Sequence, residues 1–139
     1  MLAPLRHSPA SWGTPSPQRR PPRAWTPIAA RPEHAAFVAC LDAGVVGWAH
    51  IHASCDFERG PHAVIEGLVV DAAARRGGVA TALLEAVERW AAEAGLPFVR
   101  LHSHVTRAEA HAFYARRGFE QVATSHQYRK VCSPRPGTA

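Results

Sequence analysis

The sequence predicts an α/β fold, and three patterns predict it. Short apolar runs at 36–41, 45–53 and 63–70 come before any helical period. Apolar residues then recur at helical spacing from Val79 to Ala94. A further extended run, 98–104, leads into a second helical stretch ending near Arg116. At 139 residues the chain is long enough for one domain with a single modest core. No run approaches the roughly 18 apolar residues of a membrane span.

Each element has its own signal. Ala36-Phe37-Val38-Ala39-Cys40-Leu41 reads as a strand, Asp42-Ala43-Gly44 as a hairpin connection, and Val45 to Ala53 as the returning strand. Ser54 to Pro61 is polar and reads as a loop. Ala63 to Val70 is almost continuously apolar, as a central strand is. The first helix places Val79, Leu83, Leu84, Val87, Trp90, Ala91 and Ala94 on one side and Glu85, Glu88, Arg89 and Glu93 on the other. Gly95 and Pro97 stop it. Phe98 to His104 reads as the next strand. Thr106-Arg107-Ala108-Glu109 has the form of a capping box for a helix that Gly118 ends. Residues 119–123 and 127–131 read as a final pair of strands. The predicted order is β-β-β-α-β-α-β-β.

Residues 1–34 differ in kind. They hold eight of the twelve prolines, which block helix interiors and lack a ladder donor. They read as a disordered or polyproline-like arm, residues 35–132 as the folded domain, and 133–139 as a tail. An acid-free, arginine-rich start also has the composition of a transit peptide, without the amphipathic period. A start site further downstream is a third reading. The net charge of +5 comes from this arm: five arginines and no acid lie in residues 1–32, against eleven bases and eleven acids in 33–139. The folded part is neutral, which argues against a nucleic-acid-binding face. Cys40, Cys55 and Cys132 are odd in number and lack C-x-x-C spacing, so they read as reduced thiols of a cytoplasmic protein.

The chemistry is concentrated after residue 63. An apolar strand, the turn Arg75-Arg76-Gly77-Gly78 and a helix start lie in sequence. The first N–H groups of a helix lack partners within it, and with the helix dipole they attract anions. Gly77 and Gly78 carry no Cβ, so a phosphate can approach the backbone, and the two arginines add charge. The local reading is a pyrophosphate cradle; an ordinary glycine-bearing turn is the plain alternative. Neither a Walker loop nor a dinucleotide fingerprint is present. What is present is Arg-x-x-Gly-x-Ala at Arg75, Gly78 and Ala80, then Ala110-His111-Ala112-Phe113-Tyr114-Ala115-Arg116-Arg117-Gly118-Phe119. Together these resemble the Gcn5-related N-acetyltransferase (GNAT) family over about residues 35–131.

The resemblance implies a mixed, mostly antiparallel central sheet with flanking helices. It also implies acetyl-CoA as co-substrate, no metal, and transfer of acetyl to a primary amine of a small molecule or protein by direct attack in a ternary complex. Leu68, Val69 and Val70 would meet pantetheine in a gap beside a bulge, with the Val69 N–H polarising the thioester. Arg75, Arg76, Gly77, Gly78, Val79 and Ala80 would hold the diphosphate. Tyr114 would protonate the leaving thiolate, a fair match for a phenol of pKa about 10. Arg107 stands where relatives often carry Asn, and its guanidinium would reach a phosphate instead.

Glu66 is the candidate base, in apolar surroundings that would make its carboxylate hold a proton more tightly; equally, it is an acid that binds a cationic acceptor. Strand alternation places it on the face of Leu68 and Val70. His50-Ile51-His52 and His102-Ser103-His104 invite a metal reading, but no third ligand is evident. They read as polar residues on the cleft side of strands, with His102 an alternative base. The family begins with one further strand and one or two helices that wall the acceptor pocket. Here those fall in the proline-rich arm, so the site is open, completed by another chain, or degenerate. A non-catalytic acyl-CoA-binding module is therefore the competing reading, and a nucleic-acid-associated protein tethered by its arm a third. Edge strands allow a homodimer.

Overall fold

In the computed structural model, residues 2–4, 28, 30–41, 44–75, 77–103, 105–133 and 137 are described. The chain divides into two compact units, Met1–His102 and Ser103–Ala139. The first holds a five-stranded sheet in the order β1-β2-β3-β4-β5. Its strands are β1 (Leu2–Pro4), β2 (His34–Leu41), β3 (Gly44–Asp56), β4 (Gly60–Val70) and β5 (Val99–Leu101). Helix α1 (Val79–Glu93) crosses from β4 to β5, which pair in parallel. The other three pairings are antiparallel. The sheet is mixed and mostly antiparallel, as the family resemblance implies.

Several elements depart from expectation. β1 lies in the stretch read as a disordered arm, where it pairs Leu2 with Ala39 and Pro4 with Phe37. Proline is tolerated there because an edge strand leaves one side unpaired. Residues 54–61 are not a loop: pairing continues through Ser54–His62 and Cys55–Pro61 to Asp56–Gly60. Only residues 57–59 turn. Asp56 Oδ1 accepts the N–H groups of Glu58 and Arg59 at 3.1 and 2.7 Å, and Gly60 takes φ +69° to close the turn. β5 is shorter than the predicted run, ending at Leu101. The Asp42-Ala43 corner of the first hairpin lies outside the described residues.

α1 covers one face of the sheet. Leu83, Leu84 and Val87 are fully buried, as are Ala49, Ile51 and Ala63 beneath them. Each such Leu or Val contributes about 1.5–3 kcal/mol by leaving water. Gly47 lets the helix come this close. A Cβ there would lie 2.8 Å from the Val69 carbonyl and 3.2 Å from both Leu83 Cδ1 and Val79 Cγ1.

The second unit holds α2 (Ala108–Arg116). Its N-cap is Arg107, one residue after the predicted Thr106, and the Arg107 side chain makes no capping bond. At its end Gly118 turns left-handed (φ +87°) and the Phe119 N–H returns to the Tyr114 carbonyl at 3.0 Å. Residues 119–133 form no strands, contrary to the predicted pair. Among the described residues no neighbouring strand offers them a ladder, and Val122, Tyr128 and Val131 stay 76–92 % exposed.

Candidate active site

The turn before α1 has the features of an anion cradle. A single 3₁₀ turn, Ala72–Ala74, ends at Arg75. Gly78 follows as N-cap of α1 at φ +80°, ψ +7°, a conformation that glycine adopts without strain. No side chain caps the helix, no acid lies in its first turn, and its first internal bond is Ala82 N–H to the Gly78 carbonyl at 3.0 Å. The earlier N–H groups, at Val79, Ala80 and Thr81, therefore have no helical acceptor. Gly77 and Gly78 are exposed, and a Cβ built on Gly78 meets nothing within 4 Å. That open approach fits a diphosphate. Arg75 is exposed beside it, whereas Arg76 lies outside the described residues.

Beside the cradle, β4 has an open edge. β5 pairs with it only at Ala63, Val64 and Ile65. From Glu66 to Val70, no described strand continues that ladder, so the outward backbone groups of Leu68 and Val70 are available to an extended ligand. Val69 instead faces Trp48 in the bonded register that Asp71 N–H to the Val46 carbonyl continues, which corrects the expectation of a free Val69 N–H. Val69 is 45 % exposed.

Glu66 sits at a β-bulge. Ile51 opposes Ile65 and His50 opposes Gly67, which leaves Glu66 as the extra residue. The bulge breaks the alternation, and this corrects the predicted face. Glu66 points to the His52 and Val64 side, while Leu68, opposite Ala49, lies on the α1 side. Apolar enclosure is not observed either. The Glu66 side chain is 52 % exposed, and its Oε1 lies 2.7 Å from His52 Nε2.

Three histidines line the same face. His34 stacks on His50 and His52 with ring centroids 5.2 and 5.0 Å apart, and His34 Nδ1 lies 2.9 Å from His50 Nε2. Burial, then the neighbouring rings, pushes the pKa of His50 below the ordinary histidine value; His34 is lowered by burial and by His52. Among the described residues no group of three or more His, Cys, Asp or Glu is arranged to hold a metal. Sequence reasoning missed His34, placed in the arm by one residue. It also missed His62, which is 1 % exposed, gives its Nδ1–H to the Gly60 carbonyl (2.8 Å) and accepts from Arg100 at Nε2 (3.3 Å).

His102 is a weaker candidate for the base than predicted. Its Nε2 accepts from the Arg100 guanidinium at 3.1 Å, so that lone pair is engaged. His104 lies outside the described residues. In the second unit, Tyr114 packs edge-on against Phe113 and Phe119. Partial burial pushes its phenol above the ordinary value of 10, opposed by the Arg107 charge. It therefore stays protonated through neutral pH, as a proton donor must.

Comparison with known proteins gives these features a context. The profile of the acetyltransferase (GNAT) family matches residues 3–119. The chain belongs to that family. The match begins inside the proline-rich stretch, at β1. Among curated relatives, an aminoglycoside N(6')-acetyltransferase type 1 of Stenotrophomonas maltophilia is 33 % identical over 107 residues, covering 73 % of this chain and 70 % of that one. Its namesake in Serratia marcescens is 30 % identical over 109 residues, 75 % of each. Among solved structures, aminoglycoside N-acetyltransferase AAC(6')-Iy in complex with CoA superimposes with a TM-score of 0.72 at 27 % identity, covering 77 % of this chain and 83 % of that one. The same enzyme with a bisubstrate analogue, CoA-S-monomethyl-acetylneamine, gives 0.70 at 27 % identity, covering 77 % and 76 %. This GNAT member is an acetyltransferase, and acetyl-CoA is its co-substrate.

Proposed function

We propose that the protein transfers acetyl from acetyl-CoA to a primary amine of a cationic small molecule, of the aminoglycoside kind, by direct attack in a ternary complex. The observation that carries this reading is the combination of an uncapped α1 terminus, an open β4 edge and a carboxylate at the bulge where that edge begins. The first suits a diphosphate, the second an extended pantetheine arm, and the third a substrate ammonium. The aminoglycoside class is supported by the curated relatives. The three cysteines are free thiols, in keeping with a cytoplasmic enzyme, and the edge strands suit a homodimer.

In this reading the N–H groups of Gly77 to Ala80 hold the diphosphate, with Arg75, Arg76 and Arg107 adding charge. Leu68 and Val70 offer their outward backbone groups to pantetheine, and an N–H of this pair polarises the thioester carbonyl. Glu66 takes a proton from the ammonium, the nitrogen lone pair attacks the carbonyl carbon, and the C–S bond breaks. Tyr114 gives its proton to the departing thiolate. A neutral carboxylic acid at position 66 could do neither job, so Glu66 works ionised.

The test is thiol release from acetyl-CoA with aminoglycosides, polyamines and a peptide amine as acceptors, with the product's mass recorded. Acetylation of an aminoglycoside is the expected result. Saturable acetyl-CoA binding with no acetylated amine would favour a non-catalytic acyl-CoA-binding module.

A further inference from the structure

The two nitrogens of His52 face different acceptors. Nδ1 lies 3.2 Å from the Ala53 carbonyl, and Nε2 lies 2.7 Å from Glu66 Oε1. A carbonyl only accepts, so Nδ1 carries hydrogen. Without a proton on the other side, the Nε2 lone pair would face a carboxylate lone pair at hydrogen-bond distance. One proton between them removes that repulsion. We infer that His52 is the positioning residue of Glu66, and that the two side chains hold one shared proton and act as a single base. The substrate in this inference rests on the acetyl-transfer reading above; the pair itself does not.

The surroundings keep the proton there. His34 and His50, from β2 and β3, stack with His52, while Asp56, His62, Arg100 and His102 share the face and are linked to one another, Arg100 lying 3.3 Å from His62, 3.1 Å from His102 and 3.8 Å from Asp56. The His34 and His50 rings lie 5.0 and 6.2 Å from that of His52, they bond to each other at 2.9 Å, and burial favours their neutral forms. Glu33 and Arg31 act on His34 with opposite signs. Glu66 favours protonation of both rings. The bulge gives the two members different exposures: His52 is 20 % exposed and Glu66 52 %. Glu66 is thus the outward member, reachable by an amine, and His52 the inner one.

To act as the base, the pair first gives its shared proton to water and is left with one negative charge. When an ammonium docks, one N–H bond breaks, the proton passes through the carboxylate into the Nε2–Oε1 bridge, and the electron pair stays on nitrogen. The pair becomes neutral and the amine nucleophilic. The proton leaves to water after acetyl transfer.

Two measurements test this. The first is kcat against pH at saturating acetyl-CoA and aminoglycoside, for the wild type and His52→Asn. The acid limb should move down by at least one pH unit in the variant, toward the range of a lone carboxylate, about 4.3. The second needs no substrate: in the full-length protein, a downfield proton resonance on His52 Nε2 should be visible at pH 7 and vanish in the isosteric Glu66→Gln. An unmoved limb, or a resonance indifferent to Glu66→Gln, overturns the shared proton. If no amine is acetylated, the acetyl-transfer reading fails while the resonance still decides the pair.

Discussion

Gly78→Glu and Gly78→Ala share one cost and differ in one charge. Gly78 has φ +80°, so any side chain there bears left-handed strain of about 1–2 kcal/mol. Steric clash adds nothing, because the space is open to 4 Å. Both variants should therefore melt below the wild type by similar amounts. The glutamate variant should melt no lower than the alanine one, since a carboxylate at a helix N-terminus contributes about 0.3–1 kcal/mol. Their affinity for CoA should differ sharply. At about 4 Å, two unit charges repel by roughly 1 kcal/mol in water and more at a protein surface. A diphosphate brings two such charges to this exposed position, which gives about 2 kcal/mol, or roughly 30-fold in Kd. Calorimetric titration with CoA should show that gap and show it shrinking at high salt. Equal affinity in the two variants would refute the cradle.

Three further outcomes follow from the geometry. Tyr114→Phe should lower kcat by about 10²-fold or more, the usual worth of a proton donor, with little change in acetyl-CoA affinity by calorimetry; equal loss of both would make the ring structural. His50 is lowered in the fold, so the unfolded chain binds the extra proton; stability is full above the ordinary value of about 6.5 and falls as pH drops through it. Melting at pH 7.5 and 5 should show that loss in the wild type and less of it in His50→Gln. Gly47→Ala should destabilise by about 1–3 kcal/mol in urea melts, because its Cβ meets the Val69 carbonyl at 2.8 Å, and backbone yields less readily than a side-chain tip.

Hydrophobic runs and glycine punctuation made most of the sheet and both helices legible, because burial and turn geometry act locally. Register was not legible, since single bulges set it. Counting outward from Leu41–Gly44, an unbroken hairpin would place His34 opposite Ile51. The shift between Ala39 and Cys40 places it opposite His52 instead, and so onto the histidine face. The bulge at Glu66 likewise puts Leu68 on the other side of the sheet from the carboxylate. No local pattern in either strand announces these insertions. The predicted strands at 119–131 had suitable residues, but a strand exists only where a partner takes its ladder. The cradle was readable because its device, two glycines ahead of an uncapped helix, is contiguous in sequence.

The most direct measurement is a ¹H–¹⁵N amide titration of the full chain with CoA, repeated with pantetheine lacking phosphate. The resonances of Gly77, Gly78, Val79 and Ala80 should shift in a saturable manner with CoA and hold still with the truncated ligand. If those four amides ignore CoA while the protein binds it, the diphosphate is gripped elsewhere.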